Sequence, residues 1–431
     1  MPLETPATCD VAIVGGGAAG LAAAIFAAEA AATHSGRRRL SVVVLDGARR
    51  IGAKILVSGG GRCNVTNESV SEGDFNGPRH LIRHVLAAFD VETTRRWFTS
   101  LGVRLKCEEG GKLYPDTDRA RTVVDALLDR SRSLGVTVVT TKRVNNVSRS
   151  ADSLGFRAHH DSGVLTARCL IMATGGRSLS RTGSDGSGWE IVRRLGHTVT
   201  DTYPALVPLI LQAGYWHARV SGIACSVELA TTVEGKLVDR RAGSLLWTHF
   251  GISGPVVMDA SRFWVGARAR GARPVLRCNF FPGEGFDDVD RRLVASATAR
   301  PRMSLSRSLA LYMPGRLAEA LVRTAGLDPA MSLARVTRAE RRRLVHALSG
   351  LVLPVERDRG WDHAEVTAGG VPLTEVDYSS MESGRVPGLY LAGEMLDCDG
   401  RIGGFNFQWA WSTGFLAGRA AARSCGAATP G

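Results

Sequence analysis

The stretch DVAIVGGGAAGLAAA, residues 10–24, decides the fold. Residues 10–14 are a short apolar run, Gly15 to Gly20 form a glycine-rich turn, and residues 21–32 are an alanine-rich segment of helical composition. A G-x-G-x-x-G pattern is weak evidence alone, but between a strand and a helix it becomes specific for a dinucleotide. Gly15 permits the tight turn, Gly17 lets the backbone reach a pyrophosphate, and Gly20 lets helix and strand pack closely. Ala18 and Ala19 open a helix whose N-terminus supplies N–H groups and about half a positive charge. After a polar break at 33–39, residues 40–45 resume as a β-branched run ending in Asp46. A carboxylate there accepts ribose hydroxyls and favours an unphosphorylated ribose.

Working outward, residues 136–141 are a further buried strand. The pieces 156–160, 164–167 and 169–173, closed by Thr174-Gly175-Gly176, read as an antiparallel meander. Near residue 200 the texture changes to strand-like segments with prolines at 204, 208, 255 and 274, then to helical Leu/Ala/Arg spacing over 286–351. Thr337-x-x-Glu340 is a capping box opening a helix that carries Arg341, Arg342 and Arg343. A strand at 388–392, Gly393-Glu394, a Gly403-Gly404 turn and an apolar helix from about 407 to 422 return the chain to its first domain. The reading is therefore α/β, with a Rossmann-like domain (1–200 and 361–431) interrupted by a β part (201–280) and a helical part (281–360).

With 431 residues, 44% hydrophobic and 22% charged, the chain is too long for one core and too apolar for disorder. No run reaches the ~18 apolar residues of a membrane span, and residues 1–10 lack a secretory pattern, so a cytoplasmic protein with no membrane partner is expected. The eight cysteines contain no C-x-x-C and no histidine at metal-ligand spacing; they read as free thiols, with no metal site. The charge excess, 54 − 41 = +13, is almost all arginine, since the lysines are only Lys54, Lys106, Lys112, Lys142 and Lys236. Arginine forks suit phosphate, so Arg335, Arg338, Arg341, Arg342 and Arg343 form a candidate RNA patch; a G+C-rich genome gives the same bias without any ligand.

The dinucleotide is decided by the C-terminal return. NAD dehydrogenases continue with more βαβ units, whereas FAD enzymes come back with a second contact segment. Here Gly393-Glu394 follows a strand, and Gly403-Gly404-Phe405-Asn406 precedes a helix whose N-terminus suits the flavin N1–C2=O edge. Ser58-Gly59-Gly60-Gly61-Arg62-Cys63-Asn64 lacks Walker spacing. Its glycines let backbone lie against a flat ring, with Arg62, Cys63 and Asn64 as donors near the reactive edge.

These residues resemble the BaiN-like and YhiN-like bacterial flavoproteins, the aminoacetone-oxidase-family FAD enzymes. The resemblance runs through VAIVGGGAAGLAAA from Val11, SGGGRCNVTN from Ser58, GGKLYPDTDRARTVVDAL from Gly110, ATGGRS from Ala173, PALVPL from Pro204, WTHFGISGP from Trp247 and VPGLYLAGEMLDCDGRIGGFNFQWAWSTG from Val386. It implies a two-dinucleotide-domain-type FAD domain with an inserted β-barrel-like subdomain and a helical subdomain. By position it assigns Gly15, Gly17, Gly20 and Asp46 to the ADP end of FAD. Lys54, Gly59, Gly60, Arg62 and Asn64 fall to its middle and flavin end, and Glu394, Gly404, Phe405 and Asn406 to the far wall; Thr174 and Gly175 are further candidate cofactor contacts. The sequence departs from the family pattern at Asp46 (for Glu), Arg401-Ile402 (for a residue followed by Thr), Phe405 (for Tyr) and Phe407 (for Leu). The loss of two hydroxyls near the flavin bears on the substrate more than on the cofactor. The resemblance further implies reduction of a carbonyl-conjugated C=C bond, in a steroid-like enone or in a ribosomal RNA uracil, with NAD(P)H as a transient electron donor. A flavin-containing RNA-binding or assembly factor without turnover is the remaining alternative. Cys63, Tyr114 and His249 are the titratable groups inside these motifs and so the candidate proton donors.

Overall fold

The computed structural model describes residues 5–32, 39–150 and 155–426; the expected polar break, Arg39 apart, lies outside them. The chain divides into two compact units, one of Met1–Thr202 with Glu365–Gly431 and one of Tyr203–Ala364.

The first unit is built on parallel strands in the order Thr137–Val139, Val42–Leu45, Thr8–Val14, Gly163–Met172 and Leu389–Leu391. Val11 to Ile13, Val42 to Leu45 and Leu170 to Met172 are all buried, as strands covered on both faces must be. Phe156–His160 and Val144–Arg149 add an antiparallel flap. The pieces expected at 164–167 and 169–173 are one strand, Gly163–Met172. Its first half pairs antiparallel with Phe156–His160, while from Thr166 onward it lies parallel to Thr8–Val14.

The helix Ala18–Ala32 starts inside the glycine turn and is buried along most of its length. Against it packs the C-terminal helix Phe405–Gly426. A Cβ on Gly414 would lie 2.6 Å from the Ala19 carbonyl oxygen, and one on Gly418 2.3 Å from that of Ala23. The two backbones therefore touch, which alanines and glycines alone permit.

The second unit carries an antiparallel sheet in the order Leu351–Leu353, Pro274–Asn279, Ala224–Val233, Lys236–Trp247, Gly251–Ser253, Leu209–Leu211, Val355–Asp358. Its two edge strands are separated in sequence by Pro354 alone, so the sheet curls until its ends are joined through one residue. That makes it barrel-like. The expected split into a strand part and a helical part does not describe this unit: strands from beyond residue 350 complete a sheet begun at 209. Pro255 marks no strand either; it begins the helix Pro255–Ala269, where its missing N–H costs nothing. Phe286–Ala299, Gly315–Thr324 and Arg338–Ser349 supply the remaining long helices, and Thr337 and Glu340 form the expected capping box.

Candidate functional site

The first glycine loop shows why each glycine stands where it does. A Cβ on Gly20 would fall 1.8 Å from the Gly15 carbonyl oxygen, and one on Gly15 2.3 Å from that of Ala173, whereas one on Gly17 would meet nothing within 4 Å. Gly15 and Gly20 thus close the turn against its neighbours, and Gly17 faces open space at a helix N-terminus. Asp46 holds the loop: its Oδ2 accepts from Gly16 N and its Oδ1 from Ala48 N, each at 2.6 Å. Burial raises the Asp46 pKa against these hydrogen bonds. Each carboxylate oxygen keeps a further lone pair for a ribose hydroxyl.

Lys54 and Glu394, 340 residues apart, form a half-buried ion pair at 2.5 Å. Ser178 Oγ lies 2.6 Å from Lys54 Nζ and donates to Glu394 Oε1 at 2.8 Å, and Thr367 N donates to the same oxygen at 3.0 Å. Thr367 Oγ1 in turn accepts from the N–H groups of Arg177 and Ser178. Ser178 and Thr367 were not among the residues expected from sequence. Ser178 closes the ATGGRS motif and could have been found there; Thr367 sits in no motif.

The second glycine loop behaves differently from expectation. Gly59 and Gly60 adopt φ of 55° and 69°, and Gly60 borders open space. Arg62 is not a free donor: its guanidinium bonds both Glu108 oxygens at 2.9 and 3.0 Å, reaches Asp118 at 3.4 Å and covers the Tyr114 ring at 4.1 Å. Carboxylates on neighbouring segments outcompete a neutral ring for a cation. Cys63 is fully buried in an apolar cluster with Leu21 and Ile25, and burial pushes its thiol up to about 12. Tyr114 also lies buried, and desolvation raises its pKa more than Arg62 lowers it. His249 is exposed, edge-on to Phe250, and belongs to the second unit.

On the far wall, the Phe405 ring turns inward against Phe75, and the Asn406 carboxamide bridges the N–H and carbonyl of Gly400 at 2.8 and 3.0 Å. These two side chains therefore shape the turn. A Cβ on Gly404 would lie 2.5 Å from Thr66, Gly403 accepts from Asn67 Nδ2 at 3.1 Å, and Gly393 N donates to Thr413 Oγ1 at 3.0 Å. A Cβ on Gly175 would lie 2.4 Å from Ser184 Oγ. Two buried oxygens in the remaining loops, Asn64 Oδ1 and Thr174 Oγ1, have no hydrogen-bond partner. Thr174 Oγ1 is packed against Gly188, where a Cβ would lie 1.9 Å from it. Asn64 Oδ1, however, is an unpartnered acceptor in the loop of the open Gly60, and such an acceptor is what a hydrogen-bonding cofactor would satisfy, so this loop and the open Gly17 fit FAD.

A further polar cluster has the outline of a nucleophile–base–acid triad: His197 bridges Glu375 Oε2 and Ser383 Oγ, each at 2.8 Å. The N–H groups of Arg385 and Val386 both donate to that Ser383 oxygen, and Ser383 is buried. The cluster braces a loop. In the second unit, Arg341 pairs with Asp290 at 2.8 Å, Arg343 donates to the Ala325 carbonyl at 3.1 Å and Arg342 lies over Phe286, while Arg335 and Arg338 are exposed. Among the described residues no cluster of three groups can hold a metal, and no helix is long and apolar enough to cross a membrane.

The HI0933-like protein Rossmann domain is matched over residues 9–420. The chain is 34% identical over 413 residues to a 3-dehydro-bile acid delta(4,6)-reductase of Clostridium scindens, covering 96% of this chain and 98% of that one. It is 33% identical over 405 residues to a ribosomal RNA dihydrouridine synthase of Escherichia coli, covering 94% and 96%. Among solved structures, the open conformation of a flavocytochrome c3 fumarate reductase aligns with a TM-score of 0.50 at 14% identity, over 97% of this chain and 78% of that one, a likeness of fold.

Proposed function

Because the chain belongs to the HI0933-like Rossmann family and is a flavoprotein oxidoreductase, we propose that it binds FAD and reduces a carbonyl-conjugated C=C bond, drawing electrons from NAD(P)H. The observation that carries this reading is the likeness to the bile acid reductase over 96% of the chain. When bound, FAD would supply the hydride for the β-carbon of the conjugated system. Gly15, Gly17 and Gly20 with the helix N-terminus would hold the pyrophosphate, and Asp46 the adenosine ribose. Lys54 and Glu394, fixed by Ser178 and Thr367, would hold the middle of the cofactor, with the N-terminus of the helix Phe405–Gly426 at its far wall. Tyr114 keeps its proton on Oη at neutral pH, because burial raises its pKa, and it is the first unit's candidate donor to the α-carbon.

The test begins with Gly17→Val. A side chain there meets open space in the protein itself, so the variant should melt like the parent yet fail to retain FAD. Colourless parent protein that takes up no FAD on reconstitution would sink the cofactor. Anaerobically, NADH or NADPH should bleach the flavin and an unsaturated ketone should restore its colour; bleaching by neither nicotinamide would remove NAD(P)H from the reading.

A second reading, a uracil of ribosomal RNA as acceptor, is favoured by the likeness to the dihydrouridine synthase and by local charge. Residues 291–343 hold twelve arginines against three carboxylates. Phosphate contacts release counterions, roughly −0.7 in log–log salt slope per contact on a single strand. Changing Arg335, Arg338 and Arg342 to Gln should flatten that slope and leave the flavin spectrum intact. Unchanged RNA affinity would leave the cluster a solvated helix face.

A further inference from the structure

Tyr114 sits in the hairpin formed by the strands Leu105–Glu108 and Lys112–Pro115, with charge gathered around its ring. The Arg62 guanidinium lies over that ring, 4.1 Å from its centroid, and a Cβ on Gly59 would fall 3.0 Å from its Cε1 atom. The second glycine loop thus meets the phenol twice: bare backbone at Gly59 lets the ring in, and three residues later a cation covers it. Arg62 does not swing freely. Its Nη1 donates to both Glu108 oxygens at 2.9 and 3.0 Å and reaches Asp118 at 3.4 Å. Lys106, directly opposite Tyr114 in the hairpin register, holds the same two carboxylates at 3.5 and 2.5 Å. Two cations and two carboxylates form one network, whose charges balance while the phenol is neutral. Glu365 adds a further negative charge, which like Glu108 opposes ionisation of the phenol.

We propose, resting on the reading of Tyr114 as proton donor to the α-carbon, that Arg62 is its positioning residue: clamped by Glu108 and Asp118, it holds the phenol against the glycine loop and stabilises the phenolate that donation leaves behind. When Tyr114 donates, the Oη–H bond breaks and its electron pair stays on Oη. The electron pair of the enolate α-carbon takes the proton, and water returns one to Oη before the next turnover. A guanidinium keeps its charge throughout, so Arg62 gains a third anionic neighbour at the moment the proton leaves. An interaction stronger after the transfer than before it lowers the barrier to that transfer. Burial of Tyr114 works the other way, raising its pKa, and Arg62 offsets part of that rise. A lysine at 62 would keep the charge but lose the planar fork that lies over a ring while bonding a carboxylate.

The test reads the ionisation of Tyr114 itself. Holoenzyme made with difluorotyrosine, whose phenol ionises nearer neutrality, is titrated by fluorine NMR, and the Tyr114 signal is the one that Tyr114→Phe lacks. In Arg62→Gln the Tyr114 midpoint should move up by about one pH unit, and in Arg62→Lys by less. Glu108→Gln keeps an acceptor for Arg62 while removing a negative charge, so there the midpoint should fall. A general loosening of the hairpin would move Arg62→Gln and Glu108→Gln in the same direction; that result, or an unmoved midpoint in Arg62→Gln, overturns the role of Arg62 and leaves Tyr114 as donor untouched. Reoxidation of the dithionite-reduced holoenzyme by cyclohexenone tests the donor separately. Tyr114→Phe should slow it by ~10²-fold or more and Arg62→Gln by up to ~10-fold, with the alkaline limb of the Arg62→Gln pH profile displaced upward alongside its midpoint. Should Tyr114→Phe be reoxidised as fast as the parent, the donor reading falls, and the part of Arg62 in turnover falls with it.

Discussion

Glycine does different work in the helix pair around the first glycine loop and at the end of the helix Pro255–Ala269. In the first, it lets backbone meet backbone: a Cβ on Gly20 would sit 1.8 Å from the Gly15 oxygen, and one on Gly418 2.3 Å from the Ala23 oxygen. In the second, a glycine such as Gly271 ends the helix Pro255–Ala269 at φ +78° with nothing within 4 Å of where a Cβ would go. The first kind answers to a neighbour and tolerates no side chain. The second answers only to its own dihedral angles, so any residue at ease in the left-handed region can replace it. Both kinds occur in the second unit as well: a Cβ on Gly251 would sit 2.3 Å from the Leu209 oxygen. The contrast is therefore between positions, set by whether another stretch of backbone lies where the side chain would go.

The largest expected effect tests the first half of this contrast. Gly20→Ala should cost at least ~4 kcal/mol and release the flavin, since the clash is with backbone that cannot move aside. A variant that stays yellow and melts like the parent would break the comparison. Next comes Glu375, whose carboxylate lies at about 2 although burial alone would raise it, because Arg385, Thr198 and His197 all hydrogen-bond to it. A depressed folded-state pKa gives stability that is fully present above the unfolded value of 4.5 and is lost as the pH falls through about 2. Glu375→Gln should therefore cost about 3 kcal/mol at neutral pH, at ~1.4 kcal/mol per pH unit between 4.5 and 2, and the gap from the parent should narrow between those two pH values in urea unfolding. A gap independent of pH would mean that Glu375 acts by packing alone.

Gly271→Ala should cost only about 1–2 kcal/mol, and Gly271→Asn less, as calorimetry would report. A loss as large as that of Gly20→Ala would erase the distinction between the two kinds of glycine. The smallest effect is at the cap of the arginine-rich helix. Thr337 accepts from Glu340 N at 3.3 Å, and Thr337→Ala should cost about 1 kcal/mol in denaturant unfolding without touching the flavin spectrum. A change in flavin absorbance there would point to coupling that this comparison does not contain.

What could be read from sequence follows the same division. The strand, turn and helix of residues 8–32 were legible because hydrophobic run, glycine spacing and alanine content all act within a few residues. The capping box at Thr337 and the return strand near 389 obey rules of similar range. The helix Pro255–Ala269 was missed because proline was weighed as a strand edge signal, although its φ suits the first turn of a helix equally well. Side-chain partners were the least legible. Arg62 was expected to face a flavin and is held by Glu108 and Asp118; Cys63 was expected near a substrate and is buried with Leu21 and Ile25.

The sequence alone determined the first glycine loop, since a tight strand-to-helix turn needs glycines at fixed spacing and nothing beyond a strand and a helix around them. Only the tertiary structure decided which polar groups are spent and which remain available. Lys54 meets Glu394 and Ser178, His197 meets Glu375 and Ser383, and a sheet begun at Leu209 is finished by Val355–Asp358. Those pairings join segments more than a hundred residues apart. A hydrogen bond or an ion pair depends on distances of a few ångströms, and over such separations it is the packing of the cores that sets them.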